Sequence, residues 1–297
     1  MTADPLVALS LGAGVQSTTL ALLAEAGELP KPDVAIFADT GWEPADVYAH
    51  LDRLEAALSF PVLRVSRGNL RTDSLDPDHR YASVPYFVRN PDGSEGMGRR
   101  QCTSEYKLGP IRRKVRELLG ATAPDFRRVP SGRVCEQWVG FSTDEVHRAN
   151  RRKDSDGVRY LTTRYPLLEL GMSRTDCERW LRLRGWGSTA KSACIGCPYH
   201  GNRQWRELRD QRPAEWADAV AFDEEIRKGG ARGMPLDGEA FLHRSRVPLS
   251  IAPIDRVTSA EWHDRQGDLL DAVADELAED GDPDGCSPYG CRSGEEA

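Results

Sequence analysis

Residues 6–26 constrain the fold most. Leu6, Val7, Ala8, Leu9 and Leu11 form an apolar run of strand length, the pattern of a strand buried on both faces. Gly12 and Gly14 follow, where the chain must bend and a ligand can approach the backbone. Ser17, Thr18 and Thr19 then open an alanine- and leucine-rich helix over residues 20–26. A helix start offers free backbone N–H groups and the positive end of the dipole, so strand, loop and helix together predict an anion site. Ser10, Gln16, Ser17 and Thr18 add side-chain donors to Gly12, Ala13 and Gly14 at the same point. The plainer reading is a glycine turn between a strand and a capped helix.

The chain beyond repeats this alternation. Residues 33–38 read as a second strand ending at Asp39, at the edge where open α/β sheets bind ligands. Residues 44–58 read as a helix with Val47, Leu51, Leu54 and Leu58 on one face, and residues 61–65 as a third strand. Strand–helix–strand order predicts an α/β class with a parallel sheet. Residues 66–100 are polar and turn-rich, as in a lid or binding loop, and close on Arg99 and Arg100. A basic helix is expected over 112–119, and a fourth strand over 134–139, ending in Gly140. Ser173 is placed to cap a helix over 174–184, with Asp176 in its first turn. Residues 201–228 read as helical, with their tryptophans in the core. A short helix is expected near 238–243 and an amphipathic one over 259–280. Residues 281–297 read as a mobile Gly-, Pro- and Asp-rich tail carrying Cys286 and Cys291. The expected division is 1–170, 171–280 and 281–297.

Composition narrows the class. Hydrophobic residues make up 39% and charged residues 29% of the chain, as in a globular protein. No apolar run approaches the roughly 20 residues of a membrane span, and no basic segment precedes Leu6, so no signal peptide is expected and the expected location is cytoplasmic. The net charge of −7 argues against nucleic acid as a partner, while the cluster Arg148, Arg151, Arg152 and Lys153 keeps it open. Seven cysteines in a reducing compartment point to metal or redox chemistry rather than disulfides.

The cysteines are unevenly placed. Cys194-Ile-Gly-Cys197 is a C-x-x-C knuckle, which brings two sulfurs to one metal ion and suits zinc or an iron–sulfur cluster. A redox dithiol is the other use of this spacing. Cys135 and Cys177 fall in a strand and a helix and read as core thiols.

The glycine loop is not G-x-x-x-x-G-K-[ST], since no lysine follows Gly14. Nor is it G-x-G-x-x-G, since Ser17 stands at the third glycine. Ser10-Leu11-Gly12-Ala13-Gly14-Val15-Gln16-Ser17 resembles the PP-loop of the ATP pyrophosphatases, with Leu11 interrupting the pattern and Gln16 in place of the usual aspartate. Three further segments resemble the PAPS reductase-like branch: Cys102-Thr-x-x-Tyr-Lys107 before Pro110-Ile111, Gly140 with Asp144, Glu145 and Arg148, and the knuckle. The resemblance covers about residues 6–200. It implies a Rossmann-like parallel sheet with a PP-loop, plus a mainly helical, metal-binding C-terminal part.

The same resemblance implies chemistry. ATP phosphates would lie on residues 12–18 with Mg²⁺, Asp39 would sit near the adenosine, and Arg100, Lys107, Asp144, Glu145 and Arg148 would face phosphate or substrate. Cys102 would join Cys194 and Cys197 on a 4Fe-4S cluster, leaving one iron open, with Zn²⁺ as the alternative metal. The implied activity is an ATP-dependent sulfurtransferase, which adenylates a nucleobase, nucleic acid or small-molecule acceptor and receives sulfur from a desulfurase or free sulfide. Three other readings stand beside it: a PAPS or APS reductase, a zinc-stabilised PP-loop ligase, and a nucleotide-binding module without turnover. The tail departs from the reductase motif, reading Gly285-Cys286-Ser287-Pro288-Tyr289-Gly290-Cys291. Cys286 and Cys291 remain candidates for a fourth ligand or a catalytic redox pair. A homodimer is also open.

Overall fold

The N-terminal apolar run becomes the central strand of a five-stranded parallel sheet in the computed structural model, which describes residues 4–79, 84–153, 158–187, 189, 192–229, 236–259 and 261–262. In chain order the elements begin β1 (Leu6–Leu11), α1 (Val15–Glu25), β2 (Val34–Asp39), α2 (Ala45–Ala57), β3 (Val62–Ser66) and α3 (Leu70–Leu75). The short strands β4 (Phe87–Arg89) and β5 (Glu95–Met97) follow. A π-helical turn, Thr103–Leu108, then runs into α4 (Gly109–Leu118). Next come β6 (Cys135–Val139), α5 (Val146–Lys153), β7 (Leu161–Arg164), α6 (Pro166–Glu169) and α7 (Arg174–Leu183). The last are α8 (Asn202–Gln211), α9 (Pro213–Glu225) and β8 (Glu239–Phe241).

The strand order is β3-β2-β1-β6-β7. The chain therefore builds outward from β1 in one direction, then returns to add β6 and β7 on its other side. That reversal leaves a crevice between the carboxyl ends of β1 and β6, the place where open α/β sheets bind ligands. Alternation along the strands feeds two cores. Leu9, Leu11 and Phe37 pack with Leu20 and Leu23 of α1, Leu51 and Leu54 of α2, and Cys177 and Leu181 of α7. On the opposite face, Ala8, Val34, Ile36 and Cys135 pack with Ile111 and Val115 of α4. Cys135 and Cys177 are core thiols, as their positions in the sequence suggested.

Several elements fall within a residue or two of expectation. α7 begins behind Ser173, whose hydroxyl and the Asp176 carboxylate form a capping box. α1 starts earlier than expected, at Val15, with Gly14 as its N-cap. Two expectations fail. Residues 66–100 are not merely a loop: they hold α3 and the β4–β5 hairpin. The helix expected near 238–243 is instead strand β8, which pairs antiparallel with β4, Phe87 facing Phe241 and Arg89 facing Glu239. Pairing across the sheet overrides the local helix preference of Glu-Ala-Phe-Leu. A side chain at Gly238 would strike the Arg89 carbonyl oxygen at 2.4 Å, so only glycine fits under that pairing.

The chain divides into two compact units, residues 1–199 with 214–252, and residues 200–213 with 253–297. Within the second, Asn202 donates to the carbonyls of Pro253 and Arg256 at 3.2 and 2.6 Å, and Arg206 pairs with Glu261. The helix expected over 259–280 falls mostly outside the described residues. Cys286 and Cys291 lie outside them entirely. Among the described residues, no helix is long and apolar enough to cross a membrane.

Candidate nucleotide cleft and cysteine pocket

The turn after β1 is held by its own serine. Ser17 Oγ accepts from the Gly12 N–H at 3.1 Å and donates to the Gly14 carbonyl at 3.2 Å. The Thr18 N–H is satisfied by the Gly14 carbonyl at 2.9 Å. The N–H groups of Val15, Gln16 and Ser17 precede it in the first turn, where a helix offers no acceptor. Ala13 takes φ of +53°, a left-handed conformation that bends the loop over β1. Gly140, at the end of β6, lies directly across. A Cβ there would stand 3.1 Å from the Ser17 nitrogen and 3.2 Å from the Gln16 carbonyl, so the glycine allows β6 to meet the start of α1.

These elements enclose a cleft of about 370 Å³ at the sheet reversal. Nine residues singled out in the sequence line it: Ser10, Gly12, Gly14, Gln16, Ser17, Lys107, Gly140, Glu145 and Arg148. Arg174, Phe141 and Ser192 also line it and carried no sequence signal. Arg174 is the first residue of α7 and donates to Gln16 Oε1 at 3.4 Å. The Gln16 amide nitrogen in turn donates to Glu145, which holds Arg148. Arg148 lies over the Phe141 ring at 4.5 Å, and Phe141 stacks on Tyr165 with centroids 5.5 Å apart. The cleft thus joins open backbone donors to the cations Lys107, Arg148 and Arg174, a surface complementary to a polyphosphate.

Other expected residues lie elsewhere. Thr18 is buried, its hydroxyl 2.9 Å from His50 Nε2. Asp39 ends β2 and accepts from the Gly41 N–H and the Tyr48 hydroxyl, each at 2.8 Å. Burial, followed by Asp39, raises the Tyr48 hydroxyl above its ordinary range. Asp144 accepts from the Ser142 hydroxyl and the Arg174 N–H, so it braces the start of α7 rather than lining the cleft. Arg100 lies over the Tyr199 ring at 5.0 Å, beside the cysteines.

The cysteine knuckle is fixed by Trp42, in the loop after β2. The Ile195 N–H donates to the Trp42 carbonyl at 2.9 Å, and the Cys197 N–H to the Cys194 carbonyl at 3.0 Å. A Cβ on Gly196 would fall 2.1 Å from the Trp42 ring, so only glycine lets the turn lie on it. The Trp42 indole N–H is anchored on Asp218 at 2.6 Å.

Glu43 follows Trp42 and enters the same pocket. Its Oε1 accepts from the Thr40 hydroxyl at 3.1 Å and from Lys107 Nζ at 3.2 Å, and Cys194 Sγ lies 3.5 Å away. The Lys107 side chain is 34% exposed on the cleft side, whereas that of Glu43 is 1% exposed. Burial alone would lower the Lys107 ammonium, but Glu43 and the thiols of Cys194 and Cys197 raise it above its usual range. Burial, then the Glu43 carboxylate, pushes the Cys194 thiol up, while Lys107 and the Thr40 hydroxyl oppose the rise. Burial also raises Cys197, with Cys102 adding to it and the Tyr199 backbone, Lys107 and Arg100 opposing.

Cys102 is therefore electrostatically coupled to the knuckle, and none of the three cysteines is in a disulfide. Cys194 and Cys197 sit on one turn, with Lys107 acting on both and Arg100 on Cys197, so these two thiols are the residues of the pocket that could take part in holding a metal. Among the described residues, no three Cys, His, Asp or Glu side chains already stand together as a ligand set. Sequence reasoning missed Glu43. The signal available was its place four residues beyond the end of β2, at the same sheet edge as Asp39.

No protein-family model matches the chain, and a search of curated proteins finds no match.

Proposed function

We propose that the chain is a cytoplasmic, ATP-dependent sulfurtransferase of PP-loop type, with a Rossmann-like nucleotide domain and a metal centre on Cys102, Cys194 and Cys197. The observation that carries this reading is that Lys107 serves both places: it lines the phosphate cleft and its ammonium reaches Glu43 beside Cys194. A site that only binds nucleotide has no need of cysteines behind its phosphate-facing lysine.

The residues divide the work. Backbone N–H groups of residues 15–17 cradle ATP phosphates accompanied by Mg²⁺, and Ser17 keeps the loop closed around them. Arg148, Arg174 and Lys107 meet the negative charge that accumulates when pyrophosphate leaves. In that step an acceptor oxygen bonds to the α-phosphorus, and the bond from that phosphorus to the bridging oxygen breaks. The acceptor then carries AMP, a far better leaving group than hydroxide. A metal–sulfur centre bound by the three cysteines would supply the sulfur that replaces it. Arg100 and Lys107 favour the thiolate forms that such a centre requires.

The test is the metal itself. The full chain, purified without oxygen, is expected to hold about four iron and four sulfide and to absorb broadly in the visible. Replacing Cys102, Cys194 or Cys197 with serine should remove both. A colourless protein with about one zinc per chain would overturn the sulfurtransferase reading and favour a ligase.

A further inference from the structure

Gly14 has the segment that leads to the cysteine knuckle beside it. A Cβ on Gly14 would lie 3.5 Å from Ser192 Cβ and 3.8 Å from the Ser192 nitrogen, so the glycine loop packs directly against this residue. Ser192 stands two residues before Cys194 and lines the cleft, partly exposed to it. Its backbone is fixed a short way on, where the Ile195 N–H donates to the Trp42 carbonyl at 2.9 Å.

The hydroxyls around the loop are used differently. Ser17 donates to the Gly14 carbonyl, Thr19 donates to the Val15 carbonyl, and Thr18 is buried against His50. These three hold the start of α1 in place. Ser192 does not: among the described residues, neither its hydroxyl nor its N–H has a hydrogen-bond partner. The fold therefore places two donors in the cleft that it does not itself need, and donors of this kind are satisfied by water or by what fills the space. Lys107, Arg148 and Arg174 line the same cleft, so the occupant that suits it is an anion. Gly140 approaches the loop at Gln16 and Ser17, whereas Ser192 approaches it at Gly14, so the two glycine-loop neighbours meet it at different points.

We infer that Ser192 is a phosphate-binding residue, whose hydroxyl and N–H donate to an oxygen of the phosphates held on the glycine loop. The inference rests on the nucleotide reading above and extends it: the segment that carries Cys194 and Cys197 also supplies part of the phosphate site. It requires nothing of the metal.

The experiment compares the full-length protein with Ser192→Ala and Ser192→Asp, all purified without oxygen. Calorimetric titration gives the dissociation constants for Mg²⁺-pyrophosphate and Mg²⁺-ATP, and urea midpoints report stability. Ser192→Ala should weaken both ligands by about tenfold, the size of one hydrogen bond to a charged group. Its urea midpoint should stay at the wild-type value, because the lost hydroxyl has no partner within the protein. Ser192→Asp sets a carboxylate against the phosphates and should weaken both ligands further. Wild-type affinities in Ser192→Ala would overturn the role of Ser192 and leave the cleft as a phosphate site. Weaker ATP binding with unchanged pyrophosphate binding would also overturn it, since the contact would then lie on another part of the nucleotide. A loss of affinity that comes with a lowered urea midpoint would mark a structural residue and overturn it as well. A wild type that binds neither ligand overturns the nucleotide reading beneath it.

Discussion

Lys107 Nζ lies 3.2 Å from Glu43 Oε1, and this pair joins the cleft at the sheet reversal to the cysteine knuckle. The lysine is partly exposed on the cleft side; the glutamate is not exposed at all on the scale that matters for hydration. Removing the lysine alone strands a buried carboxylate. Lys107→Met should therefore destabilise the fold by roughly 2–4 kcal/mol, read as a lowered urea midpoint. Adding Glu43→Gln to it should recover part of that loss. Strictly additive effects of the two substitutions would contradict a coupled pair.

Gly140 is predicted to matter for nucleotide as well as for stability. A methyl group there presses on the Ser17 nitrogen and Gln16 carbonyl, which are backbone atoms and cannot swing aside. Gly140→Ala should weaken Mg²⁺-ATP binding by about tenfold or more, equivalent to roughly 1.4 kcal/mol, and lower the melting temperature as the loop is pushed off β6. Calorimetric titration checks it, and an unchanged dissociation constant would count against the cleft as the ATP site.

Gly196 tests the knuckle. Its methyl variant would overlap the Trp42 ring, so Gly196→Ala should cost about 1–3 kcal/mol and reduce metal retention. Trimming the ring in a Gly196→Ala, Trp42→Leu double variant should restore some retention. No recovery would mean that the clash is not with Trp42.

His243 predicts an acid-sensitive fold. Burial, then the nearby Arg244, holds its imidazole down to about 4, while Asp223 opposes this. Its Nδ1 accepts the Ser245 N–H at 3.1 Å, a bond that protonation would break. The unfolded chain binds this proton near pH 6.5 and the folded chain only near pH 4. The histidine's contribution is therefore intact above about pH 6.5 and lost as pH falls toward 4, on the order of 3 kcal/mol. Denaturant midpoints measured across that window should fall less steeply in His243→Gln than in the wild type.

Four of the five strands of the large sheet were readable because each carries enough apolar residues to declare itself; β7, Leu-Thr-Thr-Arg, has one apolar residue and was not. The Ser173–Asp176 capping box was equally local. What was hidden depends on distant pairing. β4 and β8 are three residues each, and Arg89 meets Glu239 only because a fold brings together residues 150 apart. The cleft residues on the glycine loop were visible as a motif. Arg174 was not, because in sequence it is merely the residue after a helix cap, and only the packing of α7 beside α1 turns it toward Gln16. Glu43 was masked by Asp39, the more familiar acid at the same strand end, although the structure ties Asp39 to Tyr48 and gives Glu43 to the cysteine pocket.

The most direct test of the account is the identity of the products formed from ATP. The full chain, kept free of oxygen, is incubated with ATP, Mg²⁺, sulfide and, in turn, a nucleoside, a nucleic acid and a panel of small-molecule acceptors, and the nucleotides are resolved. AMP and pyrophosphate in equal amounts are expected with one of these acceptors, abolished by Lys107→Met and reduced by Gly140→Ala. Formation of ADP and phosphate, or ATP left intact with every acceptor by a protein carrying its full complement of iron and sulfide, would contradict the proposed reaction.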